Sequence, residues 1–233
     1  MIINTRWQTE VAAGYIRGDF DRADDLETYT GNWQIIHRPS VRNRFTLGYG
    51  YNQTNYREDT PDYRLHSLSS GWTHHLNPHT SLTLSGGVTR LERRDQASHD
   101  HSTYALGLQR QLQRGSLSLS GSRGIDERQF SGGDEGDLVR YRQVNAAGRY
   151  QLTARLHADL TLSRRDNDYV DRPLEYRERI HEAGFGLNYR LGQNYTIATR
   201  YRFRELDTDE NLGDYQVHRW FVELSGTYPL MQW

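Results

Sequence analysis

Two segments decide the fold: Leu76-Asn77-Pro78-His79-Thr80-Ser81-Leu82-Thr83-Leu84-Ser85-Gly86 and Leu112-Gln113-Arg114-Gly115-Ser116-Leu117-Ser118-Leu119-Ser120-Gly121. Each begins with a short turn-forming cluster and continues with Leu at every second position, separated by Ser or Thr. A period of two is the mark of an extended strand with one apolar and one polar face. Working outward, Phe45, Leu47, Tyr49 and Tyr51 alternate with Thr46, Gly48 and Gly50. The pattern returns in Leu156 to Ser163, in Glu182 to Tyr189, in Tyr195, Ile197, Tyr201 and Phe203, and in Trp220, Val222, Leu224 and Tyr228.

Turn clusters punctuate these segments at an interval of roughly 36–40 residues, a repeat signal: His37-Arg38-Pro39-Ser40, Asn77-Pro78-His79, Gln113-Arg114-Gly115, Thr153-Ala154-Arg155 and Gly192-Gln193-Asn194. Between them lie longer polar stretches, Arg17 to Glu27, Arg57 to Asp62, Glu92 to His101, Asp126 to Asp137, Asp166 to Glu175 and Asp207 to Asp214. One strand on each side of every short turn, plus one at each terminus, makes about twelve strands. Short turns on one rim and long loops on the other is the asymmetry of outer-membrane barrels. The expected fold is therefore all-β, a transmembrane antiparallel up-and-down β-barrel of about twelve strands with both termini periplasmic. Residues 1–233 form its single domain, alone or as the barrel part of a longer precursor.

Composition agrees. Mean hydropathy is −0.91, and no apolar run approaches the ~20 residues of a spanning helix. A barrel strand needs only ~9–11 residues, every second one apolar, so a barrel can be hydrophilic on average. Met1-Ile2-Ile3-Asn4-Thr5-Arg6 lacks the regions of a secretory signal. Cysteine is absent, which removes disulfides, thiol catalysis and thiolate metal sites. Lys is absent too, so all 29 basic residues are Arg, and the net charge of −1 gives no reason to expect a nucleic-acid partner. A propeller would need further turns within each alternating segment, and a sandwich would need a second apolar layer; neither signal is present.

The Leu-turn-Leu-x-Leu-Ser-Gly pattern of Leu76 to Gly86 and Leu112 to Gly121 resembles β-barrel porins associated with exopolysaccharide systems in Gram-negative bacteria. It also resembles the barrels that follow periplasmic repeat domains in polysaccharide exporters. At the other end, Gly226-Thr227-Tyr228-Pro229-Leu230 with Trp233 is similar to the aromatic-terminated last strand read by the outer-membrane insertion machinery. Its spacing is longer than usual, and Pro229 cannot donate to a ladder. These resemblances imply outer-membrane lipid and the insertion machinery as partners, with polysaccharide or periplasmic export components beside them, and a channel or export barrel for a polar or anionic solute.

With the apolar face toward lipid, the other face lines a lumen. From Thr46 to Ser122 that face offers Thr, Ser, Gly and Gln; from Asn145 onward it offers Arg149, Asp159, Arg165, Glu182, Arg190, Arg200, Arg202, Arg204 and Glu223. An Arg ladder centred on Arg200, Arg202 and Arg204 would attract an anion by charge and bidentate hydrogen bonding. The competing reading takes slight precedence: Glu182 and Glu223 neighbour the ladder, and small barrels are commonly filled by internal ion pairs. In that case the barrel is structural or adhesive, with partner-binding loops.

The remaining signals are weaker. Tyr29, Tyr150, Tyr189, Tyr195 and Tyr228 suit membrane interfaces, and Tyr56, Tyr63 and Tyr169 are placed in loops, where packing outweighs carbohydrate stacking. His99-Asp100-His101 and His74-His75 with His79 lack a recognised ligand spacing, so no metal or cofactor is expected. A barrel hydrolase would use Ser70 with His74 beside Trp72, but ~13 Å of strand separates them. No enzymatic activity is expected.

Overall fold

The computed structural model describes residues 6–19, 25–57, 62–93, 98–128, 137–169, 177–209 and 213–227. Twelve strands make one sheet in sequence order: β1 (Trp7–Gly18), β2 (Leu26–Ser40), β3 (Asn43–Tyr56), β4 (Tyr63–Asn77), β5 (Thr80–Arg93), β6 (His99–Leu112), β7 (Gly115–Arg128), β8 (Asp137–Gln151), β9 (Leu156–Tyr169), β10 (Arg177–Arg190), β11 (Tyr195–Thr208) and β12 (Tyr215–Gly226). Every neighbouring pair is antiparallel. The up-and-down order follows from hairpins alone, since no described strand pairs out of sequence.

The short turns are written into the sequence. The backbone N–H of His79 donates to Asn77 Oδ1 at 2.9 Å, and those of Arg155 and Leu156 donate to Thr153 Oγ1 at 3.2 and 3.1 Å. Such side-chain bonds supply the turn with acceptors that the ladder no longer provides. Gly192, at φ +111°, adopts a conformation that L side chains rarely reach. All five short turns lie on one rim, where β1 begins and β12 ends.

Register carries one face around the whole wall, because residues directly opposite in a ladder share a face. Trp33 on β2 faces Val11 and Tyr49, and Tyr49 faces Leu68, which faces Val88. Farther round, Leu108 faces Leu119, Leu119 faces Ala146, and Leu162 faces Ala183, which faces Phe203. Much of this outer face is open: Leu68, Leu106, Leu117, Leu119, Leu160 and Leu162 are all exposed. A continuous exposed apolar band of this size is what hydrocarbon covers. Exposed Trp7, Tyr150, Tyr189 and Tyr195 border it at the short-turn rim, and Tyr15, Tyr29 and Tyr104 lie toward the long-loop rim, as amphipathic rings do at the two interfaces. Tyr228 lies outside the described residues.

The strands are longer than a membrane needs. Fourteen residues extend roughly 45 Å, against an apolar band of ~25 Å. The excess is polar and sits at the long-loop end, where the outer face carries ion pairs: Arg90–Asp100 at 2.8 Å, Arg179–Asp207 at 3.0 Å and Arg164–Asp166 at 3.4 Å. The strands therefore run into the ends of most stretches expected as long loops. His99, Asp100 and His101 belong to β6, and Tyr56, Tyr63 and Tyr169 are strand-end residues. Tyr63 and Tyr169 are buried.

Most of the buried side chains form a belt on the inner face near the long-loop rim. Tyr63 and Leu91 pack with Tyr56 and Leu65; Thr28 and Thr54 bond at 3.0 Å; Val139, Asn167, Glu178 and Ile180 continue the belt round the wall. The wall itself is open. Among the described residues β1 pairs only with β2, and β12 only with β11. Alternation gives a strand its two faces, but closure depends on curvature summed over eleven pairings.

Candidate functional site: an arginine groove on the inner face

The inner face is uneven. From β4 to β7 it presents Ser69, Ser85, Thr103, Ser118, Ser120 and Ser122, as their opposition to other inner residues requires. From β8 to β12 it is charged. Three consecutive cross-strand rows make this surface. The middle row runs Arg149, Asp159, Gly186, Arg200 and Phe221. Toward the loops the next runs Ala147, Thr161, Gly184, Arg202 and Arg219; toward the turns, Gln151, His157, Asn188, Ala198 and Glu223.

Gly184 and Gly186 leave β10 bare at the centre, and a groove of about 500 Å³ opens there, lined by Arg149, His157, Asp159, Asn188, Arg200 and Arg202 among others. The glycines are required by packing. A Cβ on Gly186 would collide with the Asp159 carboxylate, and one on Gly184 would lie 2.6 Å from Thr161 Oγ1. Asp159 lies across the bare strand and accepts a hydrogen bond from Asn188 Nδ2 at 3.1 Å. It stands opposite Arg149 in the ladder, yet the two make no ion pair.

The nine residues expected to line the lumen all share this inner face, but the structure gives them different work. Arg149, Asp159, Arg200 and Arg202 meet in the groove. Arg204, one row toward the loops, stands opposite Glu182, with Nε 3.5 Å from Oε1; Arg204 Nε has no hydrogen-bond partner, so the contact is one of charge. Arg165 lies in the buried belt, its guanidinium 4.5 Å from the Tyr141 ring centroid and its Nε donating to Asn167 Oδ1 at 2.7 Å. Asn167 in turn donates to Glu178 Oε2 at 3.2 Å. Arg190 is exposed at the short-turn end of β10, opposite Thr196, and Glu223 lies on edge strand β12. Two of the six arginines are thus held by neighbours.

Three arginines of the groove, and Arg219 opposite Arg202 on β12, remain uncommitted among the described residues. Among the described residues Arg149, Arg200, Arg202 and Arg219 have no carboxylate within ion-pair distance. Arg219 falls outside the expected set, although the alternation that turns Trp220 outward turns Arg219 inward. His157 and Asn188 also escape sequence reasoning, as a polar residue on a polar face carries no signal of its own. Four cations with Asp159 and Glu223 in the same three rows leave a net positive surface able to bind carboxylate, sulfate or phosphate oxygens bidentately.

The other residues singled out in the sequence are not brought together. Alternation puts Asp100 on the outer face with Arg90, whereas His99 and His101 turn inward. Ser70 Oγ lies 3.5 Å from the Gly86 carbonyl, and His74 Nδ1 lies 2.9 Å from Asn43 Oδ1, so the two residues are engaged separately.

No known protein family and no curated protein matches the chain in sequence. Among solved structures it is similar to the alcaligin outer-membrane receptor FauA of Bordetella pertussis, with a TM-score of 0.62 and 17% identity over 96% of this chain. It is also similar to the ferric-catecholate import receptor Fiu of E. coli K12, with a TM-score of 0.50 and 9% identity over 98% of this chain. The chain spans 44% of the first receptor and 60% of the second. At such identity the likeness is one of fold, and the fold is that of an outer-membrane β-barrel wall.

Proposed function

We propose that this chain forms the wall of an outer-membrane channel in a Gram-negative bacterium, selective for a polar, anionic solute, with an acidic exopolysaccharide as one such solute. The carrying observation is the groove in which Arg149, Arg200 and Arg202 stand without carboxylate partners among the described residues, beside the bare backbone of Gly184 and Gly186. Arginines present to hold a wall together find partners, as Arg165 and Arg204 do. The solute does not need to be gripped: exposed guanidinium groups in water raise the local anion concentration while letting it leave. In this reading both termini and the short turns face the periplasm, and the insertion machinery assembles the wall.

Reconstitution of the purified protein into planar bilayers tests the proposal. Anion-preferring conductance is expected; a folded, inserted protein that carries no current would refute it. The buried belt near the long-loop rim favours a second reading, a structural barrel whose lumen is filled at that end. The same absence of current would support that reading.

A further inference from the structure

The hairpin of β6 and β7 splays at its far end. Its ladder runs from Leu112 opposite Gly115 only as far as Tyr104 opposite Arg123. Beyond that rung β6 continues to His99 against β5, and β7 continues to Arg128 against β8. Among the described residues the facing backbones of this fork do not pair with each other. Unsatisfied N–H and C=O groups are not tolerated in hydrocarbon, so the apolar band must end at or below the rung of Tyr104 and Arg123. The outer face puts the boundary at the same place. Exposed Leu106 and Val144 lie one outward position short of Tyr104 and Arg142, about 7 Å down their strands.

Three arginines crowd this boundary. Arg123 and Arg142 stand directly opposite each other on the outer face, and Arg140 follows Arg142 one outward position farther along β8. Side chains so opposed have Cβ atoms about 5 Å apart, and like charges there repel. The neighbouring carboxylates are engaged elsewhere. Asp166, opposite Arg142, lies 3.4 Å from Arg164 and 3.5 Å from Arg179, and Asp168, opposite Arg140, lies 3.5 Å from Arg177. Arg123 is set against the Tyr104 ring, its Cζ 6.0 Å from the centroid. Arg140 and Arg142 are exposed and, among the described residues, have no carboxylate within ion-pair distance.

We propose that Arg123, Arg142 and Arg140 bind the phosphate of a membrane lipid, which bridges the opposed guanidinium groups while its acyl chains lie over Val144 and Leu106. Planar guanidinium groups suit phosphate oxygens bidentately, and a bridging dianion turns the repulsion between Arg123 and Arg142 into attraction to a shared partner. The occupant is lipid because these side chains stand on the face that hydrocarbon covers, at the level where head groups begin. The long-loop rim is the external one in the functional reading above, so that lipid is a phosphorylated glycolipid of the outer leaflet. The site rests on the placement of the wall in an outer membrane and not on its conducting.

The full chain in detergent is titrated with diphosphoryl lipid A, and free and lipid-bound protein are counted by native mass spectrometry. Hydrogen bonds to charged groups are strong enough that Arg123→Gln with Arg142→Gln should weaken binding about tenfold or more. Arg110→Gln with Arg114→Gln removes the same charge from the short-turn end of the same hairpin and should leave the affinity as it was. Unchanged binding by the first variant, or equal losses in both, would overturn the proposal. So would equal binding of lipid A and its dephosphorylated counterpart by the unsubstituted protein, a comparison that stands whether or not the variants fold. Millimolar inorganic phosphate should not displace the lipid; displacement would show a site for soluble anions and overturn the assignment. Conductance keeps this proposal apart from the functional one, since a silent wall that binds the phosphorylated lipid defeats only the channel, and a conducting wall that does not bind it defeats only this site.

Discussion

Replacing Arg200 and Arg202 together by Gln is the sharpest test of the groove. Neither guanidinium has an ion-pair partner among the described residues, so their removal strands no carboxylate. An anion about 4 Å from one guanidinium gains ~1 kcal/mol at the dielectric of water and ~4 kcal/mol at an effective value of 20. A hydrated groove lies near the lower figure, so the pair supplies about 1–2 kcal/mol. Because 1.4 kcal/mol is about tenfold, the anion-to-cation permeability ratio should fall about tenfold in bilayers at about 0.1 M salt. At about 1 M the Debye length contracts to ~3 Å, and the difference between the two proteins should largely vanish. The control is Arg204→Gln with Glu182→Gln, which removes an existing pair at constant net charge and should leave selectivity as it was. An unchanged ratio at low salt would refute the reasoning. A drop of the same size in the neutral control would also refute it, because the effect would then be one of shape.

Two further expectations concern the wall. Leu119→Arg on the outer face should cost about 2–4 kcal/mol if it lies near the bilayer midplane, whereas Ser118→Arg one residue away should cost little; urea unfolding midpoints in liposomes measure both, and equal costs would argue against the assignment of faces. Gly186→Leu should displace Asp159, narrow the groove and destabilise the wall by about 1–3 kcal/mol. Gly107→Leu should be milder, since a Cβ there comes no nearer than 3.9 Å to Thr83 Cβ. Single-channel conductance and thermal unfolding in detergent separate the two variants.

Much of the wall is legible in the amino-acid sequence. Five turn clusters and the alternation between them predict twelve strands, their up-and-down order and the side each residue takes, and the ladders agree from Val11 to Leu224. The strand ends are not legible in the same way. Asp, Arg and Asn in Glu92 to His101 or Asp166 to Glu175 read as loop because they are hydrophilic, yet Glu92, Arg93 and His99 to His101, and Asp166 to Tyr169, continue as strand above the apolar band, where water meets both faces. Asp100 and Arg90 form an ion pair there rather than a turn.

Period-two alternation is a local property: each residue's face depends on its neighbours two positions away, so the chain alone determines the lipid side, the lumen side and the number of crossings. Which arginine is free is not local. It depends on register across β8 to β12, which sets Arg204 opposite Glu182, carries Arg165 to Tyr141 and Asn167, and leaves Arg149, Arg200 and Arg202 around two glycines. Curvature, too, belongs only to the tertiary structure. It accumulates over eleven pairings, and whether β1 and β12 meet depends on its sum; among the described residues they do not pair.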